Sequence, residues 1–131
     1  MNIALGIGCD RGTPAATIAQ CIAEALAACG AKPTEVKAVA SIDLKADESG
    51  LLEAAMTHGW AIRFFSAAAL AAIPVPNPSE TVRKYIGTPS VSEAAALLAA
   101  GADMSQLLIE KYKLRGPDGR NATISIARMP Q

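Results

Sequence analysis

Apolar and polar positions along this chain follow two alternating periods. Asn2-Ile3-Ala4-Leu5-Gly6-Ile7 is a short apolar run that predicts a buried strand. Ile18, Ile22 and Leu26 then recur at four-residue spacing, which predicts an Ala-rich helix with one face on a sheet. Thr13 suits its N-cap and Pro14 its first turn, and Gly30 ends it, with Pro33 shortly after. Val36 to Ile42 predicts a second strand. A polar turn over Asp43 to Glu48 leads into a helix from about Glu48 to His58, with Leu51, Leu52 and Ala55 inward and Gly59 as its left-handed stop. Trp60 to Phe65 predicts a third strand, followed by a short helix at about Ser66 to Ala72.

The proline-rich stretch Pro74 to Glu80 reads as a rigid connector. Asn77, Pro78 and Glu80 have the pattern of a cap, a first-turn proline and a capping-box acid, so a short helix is expected from about Pro78 to Tyr85, stopping at Gly87. Ser90-Val91-Ser92-Glu93 reads as a capping box that opens an Ala/Leu helix ending at Gly101. Leu107 to Tyr112 and Ala122 to Arg128 are strand-like, and Arg115 to Asn121 between them has turn chemistry. The whole pattern predicts one α/β domain over residues 1–131. Its expected architecture is a three-layer α/β/α sandwich on a mixed, mostly parallel sheet of about five strands, with a C-terminal antiparallel hairpin at the edge.

Composition narrows the function. Hydrophobic residues make up 51% of the 131, so a packed core is expected, and aromatics are only 4%, so small-residue packing should bring helices close to the sheet. Twelve basic and twelve acidic residues balance, which argues against a nucleic-acid partner. No apolar run reaches the ~18 residues of a membrane span, and no signal-peptide pattern precedes the first strand. Cys9, Cys21 and Cys29 are an odd set without zinc-site spacing. They fit a reduced, cytoplasmic setting, with Cys21 and Cys29 as small buried residues of one helix.

Ligands in such sheets bind outside the carboxyl ends of the strands. The loops at Gly8–Thr13 and Ser41–Glu48 both lie there. Gly8-Cys9-Asp10-Arg11-Gly12-Thr13 is neither a GxGxxG fingerprint nor a Walker loop. It reads as an anion-receiving loop at a helix N-terminus or as a plain tight turn. Cys9 either fills that turn or is a thiol activated by the helix end. Lys45 and Glu48 are either a cap with a surface ion pair, or a base and a carboxylate-binding lysine facing the glycine loop. Gly87, Thr88 and Ser90 offer a second helix N-terminus with hydroxyls. His58 beside Gly59 fits a helix C-terminus. Lys111 and Lys113 share one strand face, which reads as a solvated edge. No metal site and no cofactor are expected.

Taken in order, these segments resemble the CobE and CbiG C-terminal domain family of cobalamin biosynthesis. The resemblance rests on Gly6 to Thr13, Ser41 to Lys45, Glu48 to Leu51, Phe65 to Ala67 with Leu70, and Pro76 to Ser79 with Val82. It continues through Gly87 to Ala96, Leu108-Ile109 with Lys111, and Ala122 to Arg128. Ser41 stands where threonine is the commoner family residue. The resemblance implies a role in building the corrin ring of vitamin B12, in the free-standing CobE form of the aerobic route. The CbiG type opens a lactone on a cobalt-precorrin and releases acetaldehyde, with domains beyond this one.

The expected partner is a tetrapyrrole-derived corrin intermediate: a large, partly apolar macrocycle fringed with carboxylates. Other cobalamin-pathway enzymes are further candidate partners. The glycine loop with Arg11, Lys45, Thr88–Ser90 and Lys111 are suitable parts for binding it. Two readings follow. One is a binder or carrier of a precorrin or corrin acid. The other is a hydrolase or lyase with Glu48 as general base and Lys45 as electrostatic stabiliser.

Overall fold

The central strand, β1 (Ile3–Cys9), alternates bulky and small residues, and this alternation organises both layers around it. In the computed structural model, which describes residues 1–76 and 91–130, five strands form one sheet in the order β3-β2-β1-β5-β4. The others are β2 (Val36–Ile42), β3 (Ile62–Phe65), β4 (Leu107–Arg115) and β5 (Asn121–Arg128). β2 is parallel to both β1 and β3. β5 is antiparallel to both β1 and β4, so β4 runs in the same direction as β1. The carboxyl ends of β1, β2, β3 and β4 therefore lie at one end of the sheet, together with the β4–β5 turn.

Pleating sends alternate side chains to opposite faces. Ile3, Leu5 and Ile7 point to the layer of α1 (Ala15–Ala28) and α2 (Ser49–Thr57), where they meet Ile18, Ile22, Leu51, Val39, Ile124 and Ile126. Ala4, Ala40 and Ala127 face the layer of α3 (Ala67–Ala71) and α4 (Val91–Ala100), against Leu70 and Ala94 to Leu97. Gly6 shares that second face. A Cβ built on it would stand 1.9 Å from the Ser92 carbonyl oxygen, so α4 rests directly on the strand backbone. The scarcity of aromatics thus has a structural counterpart, with alanine and glycine allowing a helix to approach the sheet closely.

The three-layer sandwich and the hairpin agree with the sequence pattern, but several local details differ. Pro14 is the N-cap of α1, and no side chain caps it. The Thr13 hydroxyl instead donates to the Asp10 carbonyl at 2.8 Å, closing the glycine loop upon itself. On α2, Leu52 is 38% exposed and Ala54 takes the inward position, because α2 lies against α1 rather than flat on the sheet. Cys21 is fully buried in α1, whereas Cys29 is its half-buried C-cap. β3 starts at Ile62, and Trp60 before it stacks on the His58 ring at 4.2 Å. Gly59 and Gly101 adopt the left-handed conformation expected after α2 and α4. The helix expected over Pro78 to Tyr85, its stop at Gly87, and Thr88 and Ser90 lie outside the described residues.

Candidate functional site

Two loops meet above the carboxyl ends of β1 and β2. The first runs from Gly8 to Thr13. The second is a 3-10 turn, Asp43–Lys45, followed by Ala46 to Glu48. An exchange of charge holds them together. Glu48 is buried, and one carboxylate oxygen accepts the Gly12 backbone N–H at 2.9 Å. Its other oxygen lies 2.8 Å from Arg11 Nη1. Arg11 also donates to both carboxylate oxygens of Asp47, at 2.8 and 3.0 Å, and to the Leu44 carbonyl at 3.1 Å. This fork holds the Asp47 carboxyl below its ordinary range.

The loop therefore does receive an anion, and that anion is the protein's own Glu48. Gly12 adopts φ +77°, which turns its N–H toward the carboxylate. The start of α1 is covered as well. A Cβ on Gly50 would stand 2.2 Å from the Thr13 carbonyl oxygen, so α2 seals that helix end. The third wall comes from the β4–β5 turn. Asn121 donates its backbone N–H and its side-chain amide to Asp10 Oδ2, at 2.7 and 3.1 Å. Arg120 Nε donates to the Arg11 carbonyl at 3.0 Å.

These braces frame a cleft of ≈ 580 Å³ on the α4 side of the sheet. Its apolar lining comes from Ile42, which is buried, and from Leu44 and Val91. Its rim is cationic. Arg11 and Lys45 stand on the side of the two loops, and Lys111 and Lys113 on β4. Gly8, Cys9, Asp10, Ser92, Asn121 and Thr123 complete the wall. Burial pushes the Cys9 thiol up to about 11, against the opposing pull of Lys45, so it stays protonated at neutral pH. That direction is opposite to the one an activated thiol needs, and it fits a small residue filling a turn.

The structure brings Gly8, Cys9, Asp10, Arg11, Lys45 and Lys111 together around the cleft. It keeps others apart. Ser41 is fully buried on the α1 side, and its hydroxyl donates to the Ile7 carbonyl at 2.6 Å. Gly12, Thr13 and Glu48 lie behind the wall, engaged in loop closure. Lys45 and Glu48 thus belong to one loop yet serve different surfaces. Gly87, Thr88 and Ser90 lie outside the described residues.

Lys113, Ile42, Leu44 and Val91 were not among the expected site residues. The period-two repeat of Lys111 and Lys113 was the available signal for Lys113. It reads as a solvated edge until the sheet order, with β5 between β1 and β4, brings the carboxyl ends of β1 and β4 to the same end of the sheet. Among the described residues, no cluster of three His, Cys, Asp or Glu could hold a metal ion, and no helix is long and apolar enough to cross a membrane.

Comparison with known proteins gives this cleft a context. Residues 3–127 match the family model described as cobalamin synthesis G C-terminus. The chain is 43% identical over 128 residues to a cobalt-precorrin-5A hydrolase of Priestia megaterium, a match covering 98% of this chain and 32% of that protein. It is 39% identical over 112 residues to protein CobE of a Sinorhizobium species, covering 84% of this chain and 72% of that one. This chain therefore spans about a third of the hydrolase and most of CobE.

Among solved structures, a crystal structure of CobE, a protein of the cobalamin biosynthetic pathway, superposes with a TM-score of 0.83 at 34% identity. That match covers 98% of this chain and 91% of that one. Cobalamin biosynthesis protein chiG from Agrobacterium tumefaciens superposes at 0.70 with 32% identity, over 98% and 99% of the two chains. With a matched sequence from end to end and the same sheet beneath it, the chain belongs to the CobE and CbiG C-terminal family of cobalamin-biosynthesis proteins.

Proposed function

We propose that the cleft binds a corrin-ring intermediate that still carries free carboxylates, and that the protein serves the ring-building pathway as a carrier or accessory factor. One observation carries the reading: Lys45, Lys111 and Lys113 line the same cleft as the apolar Ile42, Leu44 and Val91. A macrocycle fringed with carboxylates needs that combination, an apolar surface for its face and ammonium groups for its edge. The cleft is open enough to take one edge of such a ring. Three free cysteines fit work in the cytoplasm. As a carrier, the protein would hand the intermediate to other enzymes of the pathway.

A second reading, a hydrolase or lyase acting on a precorrin side chain or lactone, is favoured by the similarity to cobalt-precorrin-5A hydrolase. In it, Glu48 is the general base and Lys45 stabilises developing negative charge. Glu48 would first have to release the Gly12 N–H and Arg11. That cost favours the binding reading.

Absorbance titration with precorrin and corrin acids, with and without cobalt, separates the two. A spectral shift that saturates and then stays constant supports a carrier. A spectrum that keeps changing at catalytic protein concentration supports an enzyme, and Glu48→Gln should then abolish the change while binding persists. No spectral response and no thermal shift with any of these acids would overturn both readings.

A further inference from the structure

Strand β4 is irregular where Lys111 stands. Ile109 pairs with Ile126 and Tyr112 with Ile124, so three steps on β4 match two on β5. Ile109 and Tyr112 both pack against the α1-side core, which leaves the extra residue at Glu110–Lys111. A bulge of this kind re-aims a side chain. Here it is pinned. The Ser125 hydroxyl donates to the Glu110 carbonyl, and the Ser125 and Ser92 hydroxyls are hydrogen-bonded at 2.8 Å. The bulge is thereby tied to the first turn of α4.

The next residue of that turn is Glu93. Its side chain is 0% exposed, and one carboxylate oxygen lies 3.5 Å from Lys111 Nζ. The Lys111 side chain is 31% exposed and lines the cleft. Burying the carboxylate of such a pair is a poor device for stability, since its desolvation offsets most of the attraction. Its geometry is more informative. The pair joins α4 to a bulge that faces the ligand cleft, and its ammonium end is the end that reaches the opening.

We infer that Glu93 is a positioning residue, whose buried carboxylate holds the Lys111 ammonium at the inner wall of the cleft to meet a ligand carboxylate. The inference rests on the corrin-acid reading of the cleft. Charge alone would act in the opposite sense. Replacing Glu93 by a neutral residue makes the cleft more positive, which by itself tightens binding of a polyanion. Loss of a preorganised ammonium weakens it.

The test compares wild type with Glu93→Gln in two ways. In a titration with a corrin polycarboxylate, Glu93→Gln should bind about fivefold more weakly; equal or tighter binding overturns the inference. In the ligand-free protein, side-chain carbon NMR of the lysines, with Lys111 assigned through Lys111→Arg, should show a displaced Lys111 signal. In Glu93→Gln that signal should move to the exposed-lysine position; an unmoved signal overturns the inference. If Glu93→Gln does not fold, Glu93→Asp keeps the charge and withdraws it by one methylene. It should weaken binding and shift the Lys111 signal in the same directions. If wild type binds no corrin acid, the functional reading falls and the NMR comparison alone decides whether Glu93 holds Lys111.

Discussion

The two faces of this sheet are built on different principles. On the α1 and α2 face, Ile3, Leu5 and Ile7 interlock with Ile18, Ile22 and Leu51, and the packing depends on bulk. On the α4 face, Ala4, Gly6 and Ala40 meet Ala94, Ala95 and Ala96, and the packing depends on near absence of side chain. Bulky packing contributes burial at about 25 cal/mol per Å² and tolerates an imperfect fit. Backbone-on-backbone packing buries less per residue but sets the position of a helix to within a fraction of an ångström. The proposed binding cleft is on the second face, where the start of α4 meets residues at the carboxyl ends of β1 and β2 and the bulge of β4.

The largest effect is expected from Gly6→Ala. The new methyl would stand 1.9 Å from the Ser92 carbonyl oxygen, so α4 must move. We expect a loss of about 3 kcal/mol or more in urea unfolding, together with loss of corrin-acid binding. Leu5→Ala attacks the other face. A cavity among Ile18, Ile22 and Ile126 should cost about 3 kcal/mol, while the protein that remains folded binds with wild-type affinity. If Leu5→Ala weakens binding as much as Gly6→Ala does, the division of labour between the faces is wrong.

A smaller effect is expected where the two loops join. Glu48→Gln weakens a charge-assisted hydrogen bond from the Gly12 N–H and should cost about 2 kcal/mol. Thermal denaturation would report it as a lower Tm. The smallest effect concerns pH. The Asp47 carboxyl is held below its ordinary 3.8 by the Arg11 fork, so its contribution to stability is complete above that value. It is lost as pH falls through the lower folded-state value. Asp47→Asn should flatten this acid limb slightly and leave stability at pH 7 almost unchanged, since the pair is exposed.

Much of the architecture was legible in the sequence because it follows from period and punctuation. Ile18, Ile22 and Leu26 mark a helix face, and Gly59 and Gly101 mark helix ends. Turn residues between Arg115 and Asn121 mark the hairpin. The site was less legible, for a physical reason. A loop rich in glycine and placed before a helix announces an anion site without saying whose anion fills it. Only the fold reveals that Glu48, 36 positions away, already occupies the Gly12 N–H.

Ser41 is a similar case. Its position at the end of β2 suggests a ligand contact, but the pleat sends it to the α1 face and sends Ile42 to the cleft. Lys113 and Glu93 depend on strand order and on a bulge, which local patterning does not encode. Lys111 and Lys113 become cleft residues only because β5 returns beside β1 and carries β4 with it.

The proposed binding place of a corrin polycarboxylate is the lysine-lined cleft at the carboxyl end of the sheet. The most direct measurement is an absorbance titration of one such acid into three proteins. These are wild type, Lys45→Glu/Lys113→Glu, and Arg128→Glu, which reverses an exposed charge at the opposite end of the sheet. We expect saturable shifts of equal affinity for wild type and Arg128→Glu, and a loss of at least tenfold for the cleft variant. Equal affinity in all three proteins, or a loss in Arg128→Glu alone, would contradict it.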